Sequence, residues 1–390
     1  MVKGGACVRV ALSTFEYDRN LIGGAGVYAL ELSKRLEQLC ELTVYSCGAY
    51  QSPPDAFAAA WYGTGAANVR YRRLPTFLRG HGIAAFYYYA LSQYTPAGSD
   101  VHLVNDLSQG LAVRSYAPTV QILHHLPSSE LGQSPMGTRS RVAIGLLAAL
   151  EKRALKRAHA IICQSSDTME RTTRRYPEQA AKISIIPNGV DVHLFTPASG
   201  RNEGAAFETP LIACVARGLE ARKGIACLVK AFAAAQHVSR AELVIVGKDS
   251  QGLRGQILAQ ARALGVADAI TLVESVSQHD LIALYQRAAM TVVPSLLEGF
   301  SRPALESMAC GTPVIGAAVG AIPELVDESS GVSVPPGDAH ALAAAIIDLL
   351  QDTKRVARLG LAARERAVTL FGWDGVAKRV LSVCEQVASA

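Results

Sequence analysis

Hydrophobic positions along the chain form two alternating patterns. Short runs rich in valine, isoleucine and leucine are followed by longer segments in which apolar residues recur at helical spacing. Near-continuous apolar strands separated by helices are typical of a parallel sheet that helices cover on both faces. The pattern therefore predicts an α/β fold.

The alternation runs twice along the chain, with a polar stretch of small residues, 196–208, between the two runs. The first run predicts strands at 7–13, 41–47, 69–73, 101–104, 119–124, 160–163 and 183–186, and helices at 26–40, 77–94, 138–158 and 166–176. The second predicts strands at 211–216, 242–246, 269–273 and 290–293, helices at 223–237, 250–264 and 278–288, and a helical region over 339–390 interrupted at 371–373. Two such halves predict two doubly wound, Rossmann-like domains, whose ligands bind at strand carboxyl ends facing a central cleft.

Length and composition limit the class of protein. The chain has 390 residues, half of them hydrophobic and 18% charged, which favours two globular domains and excludes a fibrous protein. The uncharged stretch 83–99 is interrupted by proline and polar residues, so no bilayer span is predicted. The eight cysteines are scattered without a Cys-x-x-Cys pair, which argues against a metal or disulfide framework. The first residues lack a signal peptide's apolar core, and we expect a cytoplasmic protein.

The net charge of +5 is unevenly distributed. Residues 1–190 carry all of the basic excess, and the rest of the chain is slightly acidic. Four arginines, at 70, 72, 73 and 79, precede the aromatic run 86–89. Basic residues beside aromatics suit a lipid headgroup region, so one hypothesis is peripheral contact with an anionic membrane at the inner face of the cell. The alternative is a solvated arginine face on a helix whose tyrosines pack inward.

A glycine-rich segment over 23–26 opens the first predicted helix. Glycines there let backbone amides approach a ligand at the positive helix end, which favours a loop that contacts an anion or a sugar. The segment also matches the dinucleotide pattern G-x-G-x-x-A. It does not follow its strand directly, however, and the second strand lacks the ribose-binding carboxylate that dinucleotide sites have. An ordinary loop is the remaining alternative.

Two cations flank the loop between the first strand of the second half and the next helix. Arg217 directly follows the predicted strand at 211–216, and Lys223 opens the predicted helix. Fixed donors beside a helix N-terminus suit a diphosphate, because their charges and the helix dipole act at one place. Solvated surface cations are the alternative.

Glu298 and Glu306 are separated by seven residues that contain a glycine and the predicted helix start at Arg302. Glu306 is predicted in the first turn of this helix. The two carboxylates can accept hydrogen bonds from different hydroxyl pairs of a bound sugar nucleotide, and the backbone amides of Phe300, Ser301 and Arg302 would face its phosphates. Two alternatives are a solvated loop carboxylate with a helix-dipole contact, and the acid–base pair of a hydrolase.

His124 and His125 end a predicted strand. A histidine at a strand carboxyl end lies on the cleft side, where it can hydrogen-bond a sugar hydroxyl or polarise a reacting group. A structural histidine is the alternative. The sequence contains no Asp-x-Asp, which argues against the sugar transferases that hold a divalent cation through that motif.

In their order along the chain, these motifs resemble those of the retaining glycosyltransferases of family 4, which have the two-domain GT-B fold. The resemblance rests on the glycines at 23–24, on Leu123 and His124, on the signature at 185–191, on Arg217 with 222–224, and on the E-x7-E motif from Glu298 to Glu306. Segments 311–315, 323–326 and 371–374 also fit. It implies an acceptor-side domain over 1–195, completed by a returning helix at 372–390, and a donor domain over 196–371.

The resemblance also implies roles for the two carboxylates and the histidine. Glu298 and His124 would contact the donor sugar and act as the catalytic residues. Glu306 would hold the ribose.

The remaining donor-binding residues implied by the resemblance surround the phosphates. Arg217 and Lys223 would neutralise the diphosphate leaving group, which makes a metal unnecessary. Gly24 would bring its backbone close to the reacting centre. Phe300 and Ser301, whose amides are expected from the motif itself to face the phosphates, complete the donor-binding residues.

We therefore expect a retaining, metal-independent glycosyltransferase that moves a hexosyl unit from a nucleoside-diphosphate sugar to a hydroxyl of a glycan, a lipid-linked or a small-molecule acceptor. No cofactor, metal or nucleic-acid partner is expected. Glu274 stands where the family usually has glycine before its base-contacting loop, so UDP-sugars and GDP-mannose both stay open as donors. The alternatives are a sugar-nucleotide epimerase of GT-B shape, which would need no acceptor, and a non-catalytic sugar-nucleotide binding protein.

Overall fold

The computed structural model of the protein describes residues 7–17, 24–47, 68–72, 96, 98–112, 117–126, 138–198, 209–249 and 251–390. These residues form two compact units. The N-terminal unit comprises Met1–Asn188 with Trp373–Ala390, and the C-terminal unit comprises Gly189–Gly372.

The strands of the N-terminal unit are β1 (Arg9–Thr14), β2 (Glu41–Cys47), β3 (Val69–Arg72), β4 (Val101–Val104), β5 (Thr119–Leu123), β6 (Ala160–Cys163) and β7 (Ile183–Ile185). They form one parallel sheet in the order β3-β2-β1-β4-β5-β6-β7. The helices between them are α1 (Gly24–Leu36), α2 (Leu107–Ala112), α3 (Thr138–Arg157) and α4 (Ser166–Arg175). Central strands such as β4 are buried along their whole length, which is why they appear in the sequence as mainly apolar runs.

The strands of the C-terminal unit are β8 (Leu211–Gly218), β9 (Glu242–Lys248), β10 (Ile270–Val273), β11 (Met290–Val293), β12 (Val314–Ala317) and β13 (Gly331–Val334). They form a second parallel sheet in the order β10-β9-β8-β11-β12-β13. Its helices are α5 (Ile225–Gln236), α6 (Arg254–Ala263), α7 (Gln278–Arg287), α8 (Arg302–Ala309), α9 (Ile322–Leu325), α10 (Ala339–Gln351) and α11 (Thr353–Phe371). The sequence pattern did not predict α2, α9, β12 or β13.

The last helix, α12 (Trp373–Ala388), belongs to the N-terminal unit although it follows the C-terminal unit in sequence. Its apolar face carries Trp373, Val376 and Val380, which are buried in the same hydrophobic core as α1 and the central strands. The indole ring of Trp373 meets the ring of Tyr28 edge-on at 5.3 Å between centroids. Burial of this face therefore fixes the last helix against α1.

The boundary between the units lies at Asn188 rather than at the predicted residue 195. The segment that follows Asn188 is bonded to α11: the Val190 amide donates to the Phe371 carbonyl at 2.8 Å. The Arg364 guanidinium donates to the carbonyls of Val192 and Phe195 at 2.9 and 2.7 Å. These bonds attach the segment to the C-terminal unit.

Both sheets have a point at which the strand order changes direction. In the N-terminal unit β1 lies between β2 and β4, and in the C-terminal unit β8 lies between β9 and β11. Doubly wound sheets bind ligands at the strand carboxyl ends beside such a point. We therefore expect ligands to bind at the loops that follow β1, β4, β8 and β11.

Several sequence predictions lie outside the described residues. They are the helix at 77–94, Gly23, Arg73, Arg79 and the aromatic run 86–89. Arg70 lies on β3, where its guanidinium carbon is 5.8 Å from the centre of the Tyr45 ring. No helix in the part of the chain that the structure describes combines the length and the apolarity needed to cross a membrane.

Candidate functional site

The loops after β8 and β11 are bonded to each other in the C-terminal unit. The backbone amide of Leu296 donates to the carbonyl of Arg222 at 2.7 Å. Gly224 has a φ of +67°, in the left-handed region, and a Cβ at this position would collide with the Pro294 carbonyl. The close approach of these loops places Lys223 beside Glu298.

Lys223 and Glu298 form an ion pair that a serine completes. The Lys223 ammonium donates to Oε2 of Glu298 at 2.7 Å, and the Ser295 hydroxyl donates to the same oxygen at 3.0 Å. The side chains of Lys223 and Glu298 are only 14% and 12% exposed. Two donors thus hold one carboxylate oxygen in a largely desolvated position, where charge-assisted hydrogen bonds are strong.

Glu306 lies in a separate set of contacts on α8. Its Oε1 accepts from Arg302 at 2.8 Å, and its Oε2 accepts from the Tyr285 hydroxyl at 3.1 Å. Burial raises the pKa of Tyr285 well above its usual range, with the Glu306 carboxylate as the second cause, so this hydroxyl keeps its proton and donates. The prediction that Glu306 lies in the first turn was wrong: the helix begins at Arg302, and Glu306, four residues on, lies in the second turn.

The residues that open α8 have an unusual backbone. Ser301 has a φ of +62°, a conformation that costs a non-glycine residue about 1–3 kcal/mol and that concentrates at functional sites. Its hydroxyl is buried and has no hydrogen-bond partner among the residues that the structure describes. Phe300 is buried, with its ring 6.4 Å from that of Phe371. The segment therefore presents helix N-terminal amides next to an unused hydroxyl.

Arg217 lies near the carboxyl end of β8, where the strand register shifts between Val215 and Gly218. Such irregularities redirect side chains at functional edges of sheets. The side chain is exposed and forms no hydrogen bond or ion pair with any described residue. The structure thus brings Lys223, Glu298 and Ser295 together and leaves Arg217 in solvent.

Gly224→Ala is expected to destabilise the protein by about 3 kcal/mol or more and to remove activity. Alanine suffers both from the left-handed φ and from the collision with Pro294, which would force the Lys223 and Glu298 loops apart. The measurements are thermal unfolding and turnover. Gly252→Ala is the matched control, because Gly252 has a φ of +69° and a Cβ there would meet no described atom within 4 Å. A similar loss of stability and turnover in both variants would mean that backbone strain alone, and not the collision with Pro294, causes the effect.

A second cluster lies at the carboxyl edge of the N-terminal sheet. His124 follows β5 directly, and its Nε2 is 2.9 Å from Oδ1 of Asn105, which follows β4. The Tyr28 ring meets the imidazole edge-on at 5.0 Å between centroids. Burial is the main cause that lowers the pKa of His124 to about 4, so the imidazole is neutral at pH 7.

The His124 imidazole borders a pocket of about 190 Å³. The pocket lies where β1, β4 and β5 end and α1 begins. The residues that line it are Thr14, Phe15, Glu16, Ala25, Asn105, Asp106, Leu107, Ile122, Leu123, His124 and His125. Gly24, the first residue of α1, is exposed, and a Cβ there would meet no described atom within 4 Å. No contact within the described chain requires glycine at this position.

Sequence reasoning missed three residues that contact the predicted ones: Asn105, Ser295 and Tyr285. Asn105 and Ser295 follow buried strands closely, and polar residues at that position are the signal that could have drawn attention to them. Tyr285 lies within α7, where its side chain looks like an ordinary core aromatic in the sequence.

Two family models match the chain, one in each half. Residues 22–194 match the model described as Glycosyltransferase Family 4, and residues 199–366 match the model described as Glycosyl transferases group 1. Together the matches extend over most of the chain, including the loops after β5, β8 and β11.

Curated relatives are named for the synthesis of a sugar phosphate and for glycosyl transfer. Alpha-maltose-1-phosphate synthase of Mycolicibacterium smegmatis is 28% identical over 98% of this chain and the whole of the relative. The D-inositol 3-phosphate glycosyltransferase of Nocardiopsis dassonvillei is 34% identical, and the match covers 60% of this chain and 57% of the relative. For the second relative, the chain matches less than two thirds of its length.

Solved structures show the same fold. Sucrose-phosphate synthase from Thermosynechococcus elongatus superimposes with a TM-score of 0.76 at 24% identity, covering 98% of this chain and 99% of the other. HepE from Anabaena, solved in complex with UDP and glucose, gives a TM-score of 0.71 at 19% identity, covering 98% and 100%. With both halves matched by family models and both sheets built as two Rossmann-like units, the chain belongs to glycosyltransferase family 4 and is a glycosyltransferase of the GT-B fold that uses a nucleotide sugar.

Proposed function

We propose that this enzyme transfers a hexosyl unit from a nucleoside-diphosphate sugar to an acceptor hydroxyl, with retention of anomeric configuration and without a metal ion. The observation that carries the proposal is the Lys223–Glu298 ion pair beside the N-terminus of α8. It combines a cation for the diphosphate with a carboxylate for sugar hydroxyls. The order of the family motifs supports retention.

The contacts of Glu298 define how it would bind the sugar. Its Oε2 is held by Lys223 and Ser295, so Oε1 is the oxygen that would accept from a donor sugar hydroxyl. The Lys223 ammonium, with three N–H donors, would keep its bond to Glu298 while another N–H turns to a phosphate oxygen. One cation would therefore align the sugar-binding carboxylate with the leaving group.

The leaving group carries the charge that develops during transfer. Lys223, the exposed Arg217 and the amides at the start of α8 would surround the diphosphate with positive charge that is fixed before the reaction. Preorganised donors of this kind stabilise developing negative charge, and a metal ion has the same electrostatic role in other transferases. Glu306, held by Arg302 and Tyr285, would accept from the ribose hydroxyls.

The names of the relatives support a hexosyl donor. Maltose-1-phosphate synthase and sucrose-phosphate synthase are named for sugars that contain glucose. Their names concern their own products.

The test is release of nucleoside diphosphate from UDP-, GDP-, ADP- and dTDP-sugars, with and without candidate hydroxyl acceptors. A thermal-shift panel selects the nucleotide first, because a ligand of the folded state raises the melting temperature. We expect acceptor-dependent release that EDTA leaves unchanged, and NMR of the product should show the donor's anomeric configuration. Donor rearrangement without acceptor, or binding without turnover, would overturn the proposal.

Gly24→Ala is expected to lower turnover about tenfold or more while leaving stability unchanged. A Cβ at the exposed start of α1 meets no described atom, so a loss of activity would reflect crowding of the substrate. Turnover and the melting temperature are the two measurements. Gly375→Ala is the matched control, because Gly375 lies in the first turn of α12 with equally open space. Unchanged turnover of Gly24→Ala would mean that the start of α1 does not lie at the reacting centre.

A further inference from the structure

Asn105 connects three parts of the N-terminal unit with one side chain. It is 1% exposed and follows β4 directly, where its backbone amide donates to the Ser13 carbonyl at 2.8 Å. Its Nδ2 donates to the Thr14 hydroxyl at 3.1 Å and to the Ala25 carbonyl at 2.9 Å. Its Oδ1 lies 2.9 Å from Nε2 of His124. The carboxamide therefore bridges the end of β1, the start of α1 and the imidazole.

These bonds determine which side of the Asn105 carboxamide carries the oxygen and which carries the nitrogen. The Ala25 carbonyl can only accept, so the group that faces it is the Nδ2 amide. The oxygen of the same carboxamide then faces His124, and because a carboxamide oxygen can only accept, Nε2 of the imidazole carries a hydrogen. The neutral ring therefore has its one proton on Nε2.

The surroundings of the ring keep it uncharged. The pKa of His124 is lowered to about 4. Burial is the largest cause, the neighbouring His125 also lowers the pKa, and hydrogen bonds with the Gln164 side chain and the Asn105 backbone oppose this shift. Glu16 and Asp106 are the carboxylates that line the same pocket, and Asp106 accepts from the Phe15 amide at 2.6 Å.

We infer that Asn105 is a positioning residue, which holds His124 as the neutral Nε2–H imidazole and fixes this ring relative to the start of α1. The inference rests on the proposed function, in which His124 contacts the donor sugar. A ring held in one tautomer presents the same polar atoms to the substrate in every turnover. A freely rotating or cationic ring would not.

Asn105→Asp adds a negative charge and keeps the acceptor for His124, and it loses the Nδ2 donor that bonds the Thr14 hydroxyl and the Ala25 carbonyl. An aspartate oxygen can still accept from Nε2–H, but its charge favours the imidazolium and should raise the pKa of His124 by about 1 to 3. The apparent pKa of the low-pH limb of the turnover profile should increase by the same amount. Asn105→Ala removes the acceptor for His124 together with the two bonds that Nδ2 donates to Thr14 and Ala25. We expect kcat to fall about five- to tenfold, the effect of losing the hydrogen bond to the ring.

The tautomer is measured directly on the full chain by NMR of ¹⁵N-labelled histidine, with the His124 signal identified by its absence in His124→Gln. We expect a protonated Nε2 and an unprotonated Nδ1 at pH 7 in the wild type, a result that needs no variant to fold. The matched control is Asn68→Asp, since Asn68 is exposed and bonds Thr43 at 2.8 Å in the same unit. It should leave both the His124 titration and turnover unchanged.

Two results would overturn the inference: a wild-type imidazole protonated on Nδ1, or a His124 titration that is the same in Asn105→Asp as in the wild type. Failure of the proposed function gives a different result. In that case the wild type shows no acceptor-dependent turnover, while the NMR titrations still report whether Asn105 governs the ring.

Discussion

Glu298→Gln is expected to lower turnover at least about a hundredfold while leaving the C-terminal unit folded. Glutamine has the size of glutamate and can still accept from the Ser295 hydroxyl, so the loop keeps its shape. What it lacks is the charge, which pairs with Lys223 and would bind the sugar hydroxyl. Removing one preorganised hydrogen-bonding group at a reacting centre costs about 10²- to 10³-fold. Steady-state release of nucleoside diphosphate gives the first result, and thermal unfolding gives the second.

Glu220→Gln is the matched control for this prediction. Glu220 also pairs with a cation of the same loop, Arg222, at 2.6 Å, but that pair is substantially exposed. Exposed ion pairs contribute less than about 1 kcal/mol, so both turnover and melting temperature should stay near the wild-type values. Near-normal turnover of Glu298→Gln would remove Glu298 from the active site.

The apolar pattern predicted the buried central strands accurately. The limits of β2, β4, β6 and β11 are those of the predicted runs, because strands covered on both faces are built mainly from apolar residues. The pattern missed β12 and β13. Both are four residues long and contain a glycine at a site of close contact: a Cβ on Gly331 would collide with the Val314 carbonyl. A glycine in the sequence gives no sign of the neighbour that excludes a side chain there.

The site was predictable only in part. Motif spacing indicated Lys223, Glu298 and His124, because each follows a predicted strand and parallel strands end at one edge of a sheet. The partners that hold them could not be predicted in this way. Ser295 and Lys223 meet at one oxygen of Glu298 only because the β8 and β11 loops approach across a left-handed glycine. Such an approach depends on strand order and loop geometry, which spacing along one chain does not contain.

Lys223→Ala is expected to lower turnover about a hundredfold or more and to weaken binding of the nucleoside diphosphate product. The substitution removes the cation proposed for the leaving group, so the loss should appear in product affinity as well as in rate. It also leaves Glu298, 12% exposed, without its ion-pair partner, and we expect a loss of stability of about 1–3 kcal/mol. Calorimetry with the nucleoside diphosphate, turnover and thermal unfolding measure the three effects.

The double variant Lys223→Ala/Glu298→Gln separates the ion pair from its catalytic role. Because each single variant leaves the other partner unsatisfied, the double variant should lose less stability than the two singles combined, by about 1 kcal/mol or more. Turnover should not recover, since both substrate contacts are then gone. Recovered turnover would instead identify the Lys223–Glu298 contact as an inhibitory bond that the donor must break. Arg222→Ala, which removes the neighbouring cation of the exposed pair, should leave product affinity unchanged, and a comparable loss there would attribute the effect to loop charge rather than to Lys223.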